Sequence, residues 1–99
     1  MRLRDAKPIF NRLRKIKGRI FVRPHATSDR DRNFTDAEII SLVQGPGRLE
    51  KNNEKATATP GSFLWVCEDE GGDYCEFAVV FEPLDGVAHQ LIIVISALR

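Results

Sequence analysis

Apolar residues recur along this chain with two different periods, and the change of period separates helices from strands. Leu3, Ala6, Ile9, Phe10, Leu13 and Ile16 follow three- and four-residue steps, which places them on one stripe of a helix. Pro8 suits such a helix if it begins just before the proline, with Asp5 or Lys7 at the cap, and Gly18 is a natural stop. Ile20-Phe21-Val22 reads as a short strand that Pro24 ends. From Pro24 to Asn33 the pattern is polar, and both a helical turn and a loop satisfy it.

A second helix has a well-marked start. Thr35 can accept from the backbone N–H of Glu38 while the Glu38 side chain reaches back to Thr35, the arrangement of a capping box. Phe34 precedes the cap and Ile39 follows at the fourth helical position, as a hydrophobic staple requires. Ile39, Leu42 and Val43 give the buried face, and Gly45-Pro46-Gly47 stops the helix.

The remainder reads as strand. Arg48 to Asn52 is a weak edge candidate, and Ser62 to Cys67 a stronger strand. Glu70-Gly71-Gly72-Asp73 makes a hairpin turn, Tyr74 to Phe81 follows, and Pro83-Leu84-Asp85-Gly86 turns the chain into a last strand from Val87 to Ala97. A loop centred on Gly71 sets Cys67 opposite Cys75, Trp65 opposite Phe77 and Phe63 opposite Val79, with apolar partners on one face. Leu91 to Ile95 is apolar at every position, which suits a central strand. The expected architecture is α+β: N-terminal helices packed on one face of a four- to five-stranded antiparallel sheet.

Length and composition agree with that picture. Ninety-nine residues, 42% hydrophobic and 29% charged, suit one domain (residues 1–99) with one modest core. The apolar runs fall far short of the ~20 residues that span a bilayer, and Met1 to Asp5 lacks the apolar core of a secretory signal. No membrane and a cytoplasmic location are the simplest expectations, and the sequence does not set the oligomeric state.

Charge changes the picture more. Residues 1–48 hold 12 Lys+Arg against 5 Asp+Glu, a net of +7, while residues 49–99 hold 3 against 9, a net of −6. The basic half points to an anionic partner, either nucleic acid (RNA or DNA) or an acidic protein. The competing reading is that the two halves neutralise each other across the folded domain. The first helix is the densest basic element, with Arg12, Arg14, Lys15 and Lys17 running on into Arg19, but it has no interleaved aromatics for base stacking.

The stretch from Arg23 to Arg32 carries the candidate chemistry. His25 is a candidate general acid or base, and Arg23, Arg30 and Arg32 are candidate phosphate ligands, because charge accumulates on phosphoryl oxygens. The alternative is a capping histidine and a solvated loop in which Asp29 and Asp31 pair with the arginines. Arg99 is a further candidate for the same site. No cofactor is expected, since no phosphate-binding glycine loop or dinucleotide fingerprint is present. No metal is expected either, since His25, His89, Cys67 and Cys75 lack ligand spacing. Cys67 and Cys75 are expected to be buried thiols, with a cross-strand disulfide as the alternative under oxidation.

A His-Ala pair after a short strand, then arginines, then Phe-Thr-x-x-Glu-Ile and a meander, resembles the bacterial domain-of-unknown-function family 4258. The matching residues are His25-Ala26, Arg30, Arg32, Thr35 and Glu38-Ile39. Asp29 stands where the family's first arginine usually falls, and Arg30 follows it. The resemblance runs over residues 19–99, leaving the basic amphipathic helix of residues 1–18 outside. That family is similar in architecture to RelE/ParE/BrnT-like toxins, and the ending Ile93-Val94-Ile95-Ser96-Ala97 looks like a BrnT-like closing strand. The resemblance implies a RelE/BrnT-like RNA-cleaving toxin domain. His25, Arg30 and Arg32 would be catalytic, Arg23, Arg12, Lys15, Arg19 and Arg99 would bind phosphate or RNA, and an antitoxin would be a candidate partner. The alternative is a non-catalytic protein-interaction module of the same fold.

Overall fold

The structure is a computed structural model that describes residues 1–24, 34–52 and 59–98. Its elements are helix α1 (Leu3–Leu13), strand β1 (Ile20–Val22), helix α2 (Asp36–Gln44) and strands β2 (Arg48–Lys51), β3 (Phe63–Glu68), β4 (Tyr74–Leu84) and β5 (Val87–Leu98). The five strands form one sheet in the order β1-β5-β4-β3-β2. Both helices pack on the same face, so the molecule is an α+β fold of two layers.

Strands β2 to β5 are the expected antiparallel meander. The β3–β4 register pairs Cys67 with Cys75, Trp65 with Phe77 and Phe63 with Val79. One-residue slippage would carry this whole apolar set to the other face, which is why the alternation fixes the register. β5 is internal, with β1 on one side and β4 on the other, in keeping with its apolar residues on both faces. The β4–β5 turn is tighter than expected. Leu84 pairs with Val87, so only Asp85 and Gly86 lie between, both at positive φ (50° and 78°). That two-residue geometry matches the twist of the flanking strands. Pro83 is taken into β4, beside a register irregularity where the ladder does not need its missing N–H.

The sheet is not wholly antiparallel, because β1 runs parallel to β5. Short turns fix the directions of β2 to β5 relative to one another. About 25 residues separate β1 from β2, so no tight turn sets the direction of β1. The chain crosses the sheet from one edge to the other between them, a width of roughly 19 Å.

α1 also differs from expectation at its start. It begins at Leu3, with Arg2 at the cap and Pro8 inside. A helix begun at Pro8 would take Leu3 and Ala6 off the stripe. Instead Ala6 is fully buried and Leu3 packs against the core. Pro8 is exposed, so the Arg4 carbonyl that it leaves without a helical partner lies toward water. The helix ends at Leu13, and Ile16 lies beyond it, exposed. α2 starts as the capping box requires: Glu38 N donates to Thr35 Oγ1 at 3.1 Å, and Thr35 N donates to Glu38 Oε1 at 3.2 Å.

The core lies between the helices and the inner sheet face. Phe10 of α1 packs on Trp65 of β3, with ring centroids 4.8 Å apart, and Phe34 meets Phe77 edge-on at 5.2 Å. Among the described residues no helix covers the outer face. That face carries Phe21, Leu64, Val80 and Leu98 together with Glu50, Glu68, Glu76 and Glu82. No helix among the described residues is long and apolar enough to cross a membrane.

Candidate nucleic-acid interface

The basic residues of the first 19 positions separate into two groups, and the contacts of each side chain decide which group it joins. Burial of Ala6, Phe10 and Leu13 against the sheet turns the opposite side of α1 to solvent. Arg4, Lys7 and Arg12 lie on that exposed side, Arg2 precedes them, and Lys15 and Lys17 continue in the turn that follows. None of these six cations makes a side-chain hydrogen bond or ion pair among the described residues. Asp5 is the lone acid within the segment.

Arg14 and Arg19 belong to the second group. The Arg14 guanidinium donates to the Val43 carbonyl at 3.2 Å and to the Gly45 carbonyl at 2.6 Å, and its carbon lies 5.0 Å from the Trp65 ring centroid. Trp65 Nε1 donates to the Leu42 carbonyl at 2.9 Å. α2 has no basic residue in its last turn and ends in extended backbone at Gly45. Its terminal carbonyls are therefore satisfied from α1 and β3. Arg19 donates to the Gln90 carbonyl at 3.2 Å and to its side-chain oxygen at 3.4 Å, tying the start of β1 to β5.

The residues singled out from sequence thus fall in separate places. Arg12 and Lys15 are exposed, the first on α1 and the second in the turn that follows it. Arg19 is half-buried and bonded at the edge of β5. Arg23 lies by the outer sheet face, where it pairs with Glu82 at 2.7 Å. That pair is exposed on both sides, so it contributes about 0–1 kcal/mol. His25, Arg30, Arg32 and Arg99 lie outside the described residues, as do Asp29 and Asp31.

The other chemistry-bearing groups belong to the strands and to α2. Cys67 and Cys75 are buried thiols that no disulfide joins. Burial, followed by the neighbouring Cys75, pushes the Cys67 thiol up to about 12. Cys67 is therefore a protonated, packed group at neutral pH rather than a nucleophile. Tyr74 donates to Glu76 Oε1 at 2.6 Å, and that bond raises its hydroxyl to about 12. His89 sits at positive φ (55°) on β5, edge-on to Phe81. A cleft of about 600 Å³ between α2 and the β3–β4 turn is lined by Glu38, Asp69, Glu70 and Asp73, and its acidity excludes it as a phosphate site. Among the described residues no group of three side chains could hold a metal ion.

Sequence reasoning did not separate Arg12 from Arg14, two positions apart on one basic helix. The available signal was indirect: α2 lacks a cation in its last turn, so one had to come from elsewhere. Comparison with known proteins finds no relative, since no family model, no curated protein and no solved structure matches this chain.

Proposed function

We propose that this chain is an RNA-binding domain of the RelE/BrnT-like toxin type, in which the basic ridge of α1 holds the phosphate backbone. The observation that carries the reading is the set of six exposed cations, from Arg2 to Lys17, without partners among the described residues. Neutralisation by the acidic half would leave such cations paired. Among the described residues the ion pairs are Arg23–Glu82 and Arg48–Glu50, and neither involves the ridge. Arg4, Lys7 and Arg12 stand on α1, with Arg2 just before it and Lys15 and Lys17 just after; cations so placed release counterions when they meet a polyanion, the main source of non-specific affinity for nucleic acid. Cleavage, on this reading, falls to His25 with Arg30 and Arg32, with Arg99 as a further phosphate ligand.

Two measurements test it. Fluorescence anisotropy with labelled RNA should show binding by the wild type, and the Arg4→Gln/Arg12→Gln/Lys15→Gln variant should bind more than about tenfold more weakly at 0.1 M salt. Equal binding by the two proteins removes the ridge from the account. RNA incubated with wild type and with His25→Ala should be cut by the first alone, and equal rates would remove the catalytic role of His25. The second reading is a non-catalytic interaction module, favoured by the half-exposed Phe21 and Leu98 on the outer sheet face. A stoichiometric acidic protein or antitoxin on the ridge, with no RNA binding, is the result that supports it.

A further inference from the structure

We infer that the ridge takes duplex RNA, held by its phosphates alone, in preference to a single strand; this rests on the reading of α1 as the RNA-binding element. The chain has eight aromatic rings, six Phe, one Trp and one Tyr. Phe10, Phe34, Phe63, Trp65 and Phe77 are buried, and Phe81 packs against the same core. Phe21 and Tyr74 are exposed, at 50% and 52%, and both belong to the outer sheet face. Among the described residues the helical side therefore has no exposed Phe, Tyr or Trp ring on which a base could stack.

Proteins that hold single strands draw about 5- to 150-fold in affinity from each stacked base. Without that contribution the ligand is chosen by charge density. B-form DNA carries one charge per about 1.7 Å of its axis and shows a salt slope of about 0.9 per neutralised phosphate, against about 0.7 on a single strand, and an RNA duplex, likewise two-stranded, should follow the duplex value. With four to six ridge cations engaged, that difference amounts to about 6- to 16-fold in favour of the duplex at 0.1 M salt. An α-helix is also too thick for the deep, narrow major groove of A-form RNA, so α1 lies across the backbone and reads no sequence.

The exposed rings do not form a rival single-strand platform. Phe21 is in the cross-strand row of Ile93 and Val80, whereas Tyr74 lies six residues along β4 from Val80. The two positions are thus about 20 Å apart along the strand direction. Glu50, Glu68, Glu76 and Glu82 share that face and repel a phosphate backbone.

The test compares one blunt RNA duplex with each of its unpaired strands by anisotropy, over about 50–200 mM salt. The expected result is duplex binding about tenfold tighter at 0.1 M, with a log–log salt slope of about −4 to −5 against about −3 to −4 for the strands. A second duplex of unrelated sequence should bind within about threefold of the first. Strands that bind as tightly as the duplex overturn this inference and leave the ridge as the binding element. Binding by neither overturns the inference and the RNA-binding reading together.

Discussion

Replacing Arg14 with methionine should destabilise this protein, although the residue sits in a row of surface cations. Methionine keeps an apolar stem against Trp65 but removes both donors, leaving the Val43 and Gly45 carbonyls at the end of α2 without that partner. Each hydrogen bond contributes about 1 kcal/mol. The cation over the Trp65 ring adds about 0.5–1 kcal/mol, and a positive charge at a helix C-terminus about 0.3–1 kcal/mol. These contributions share one side chain and overlap, so the expected loss is about 2–3 kcal/mol. For a domain of this size that lowers Tm by roughly 10–20 °C. The assay is thermal and urea unfolding of Arg14→Met beside Arg12→Met. Arg12 has no side-chain partner among the described residues, so its variant should stay within about 0.5 kcal/mol of wild type. Equal stabilities for the two variants would refute the division of the basic helix into a structural group and a free one.

Other outcomes follow from single positions. Pro8→Ala restores an N–H inside α1 at an exposed site and should raise stability by about 1–3 kcal/mol in urea unfolding; no gain would mean that the helix start is held some other way. At Gly47 an added Cβ would lie 2.6 Å from the Val66 carbonyl oxygen and 2.7 Å from the Trp65 ring, so Gly47→Ala should cost about 2 kcal/mol or more. Near wild-type stability in that variant would show that β2 can move away from Trp65. Cys67 ionises near 9.0 when exposed and at about 12 in the fold, so its burial contributes fully below pH 9. As pH rises from 9 toward 12 the unfolded state ionises first, and stability falls. Tm measured against pH should therefore drop more steeply above pH 9 in wild type than in Cys67→Ala.

What the sequence made legible depended on how local the controlling interaction was. The β3–β4 register could be read because a short turn and strict alternation act within a dozen residues, and the Thr35–Glu38 box because its partners lie three residues apart. The direction of β1 could not, since its neighbour β5 is some seventy residues away and no turn joins them. The extension of α1 to Leu3 was hidden by Pro8, whose local penalty is outweighed by burying Ala6 and Leu3 against a sheet formed much later in the chain. The site shows the same limit. Composition marked α1 as basic, but only the carbonyls of α2 reveal that Arg14 is occupied, while Arg12 has no side-chain partner among the described residues.

Mapping duplex RNA onto the folded chain by ¹H–¹⁵N chemical-shift perturbation tests the central claim most directly. Shifts should concentrate at Arg2, Arg4, Lys7, Arg12, Lys15 and Lys17, with the outer-face positions Phe21, Leu64 and Val80 unmoved. Shifts confined to the outer sheet face, with α1 silent, would contradict it.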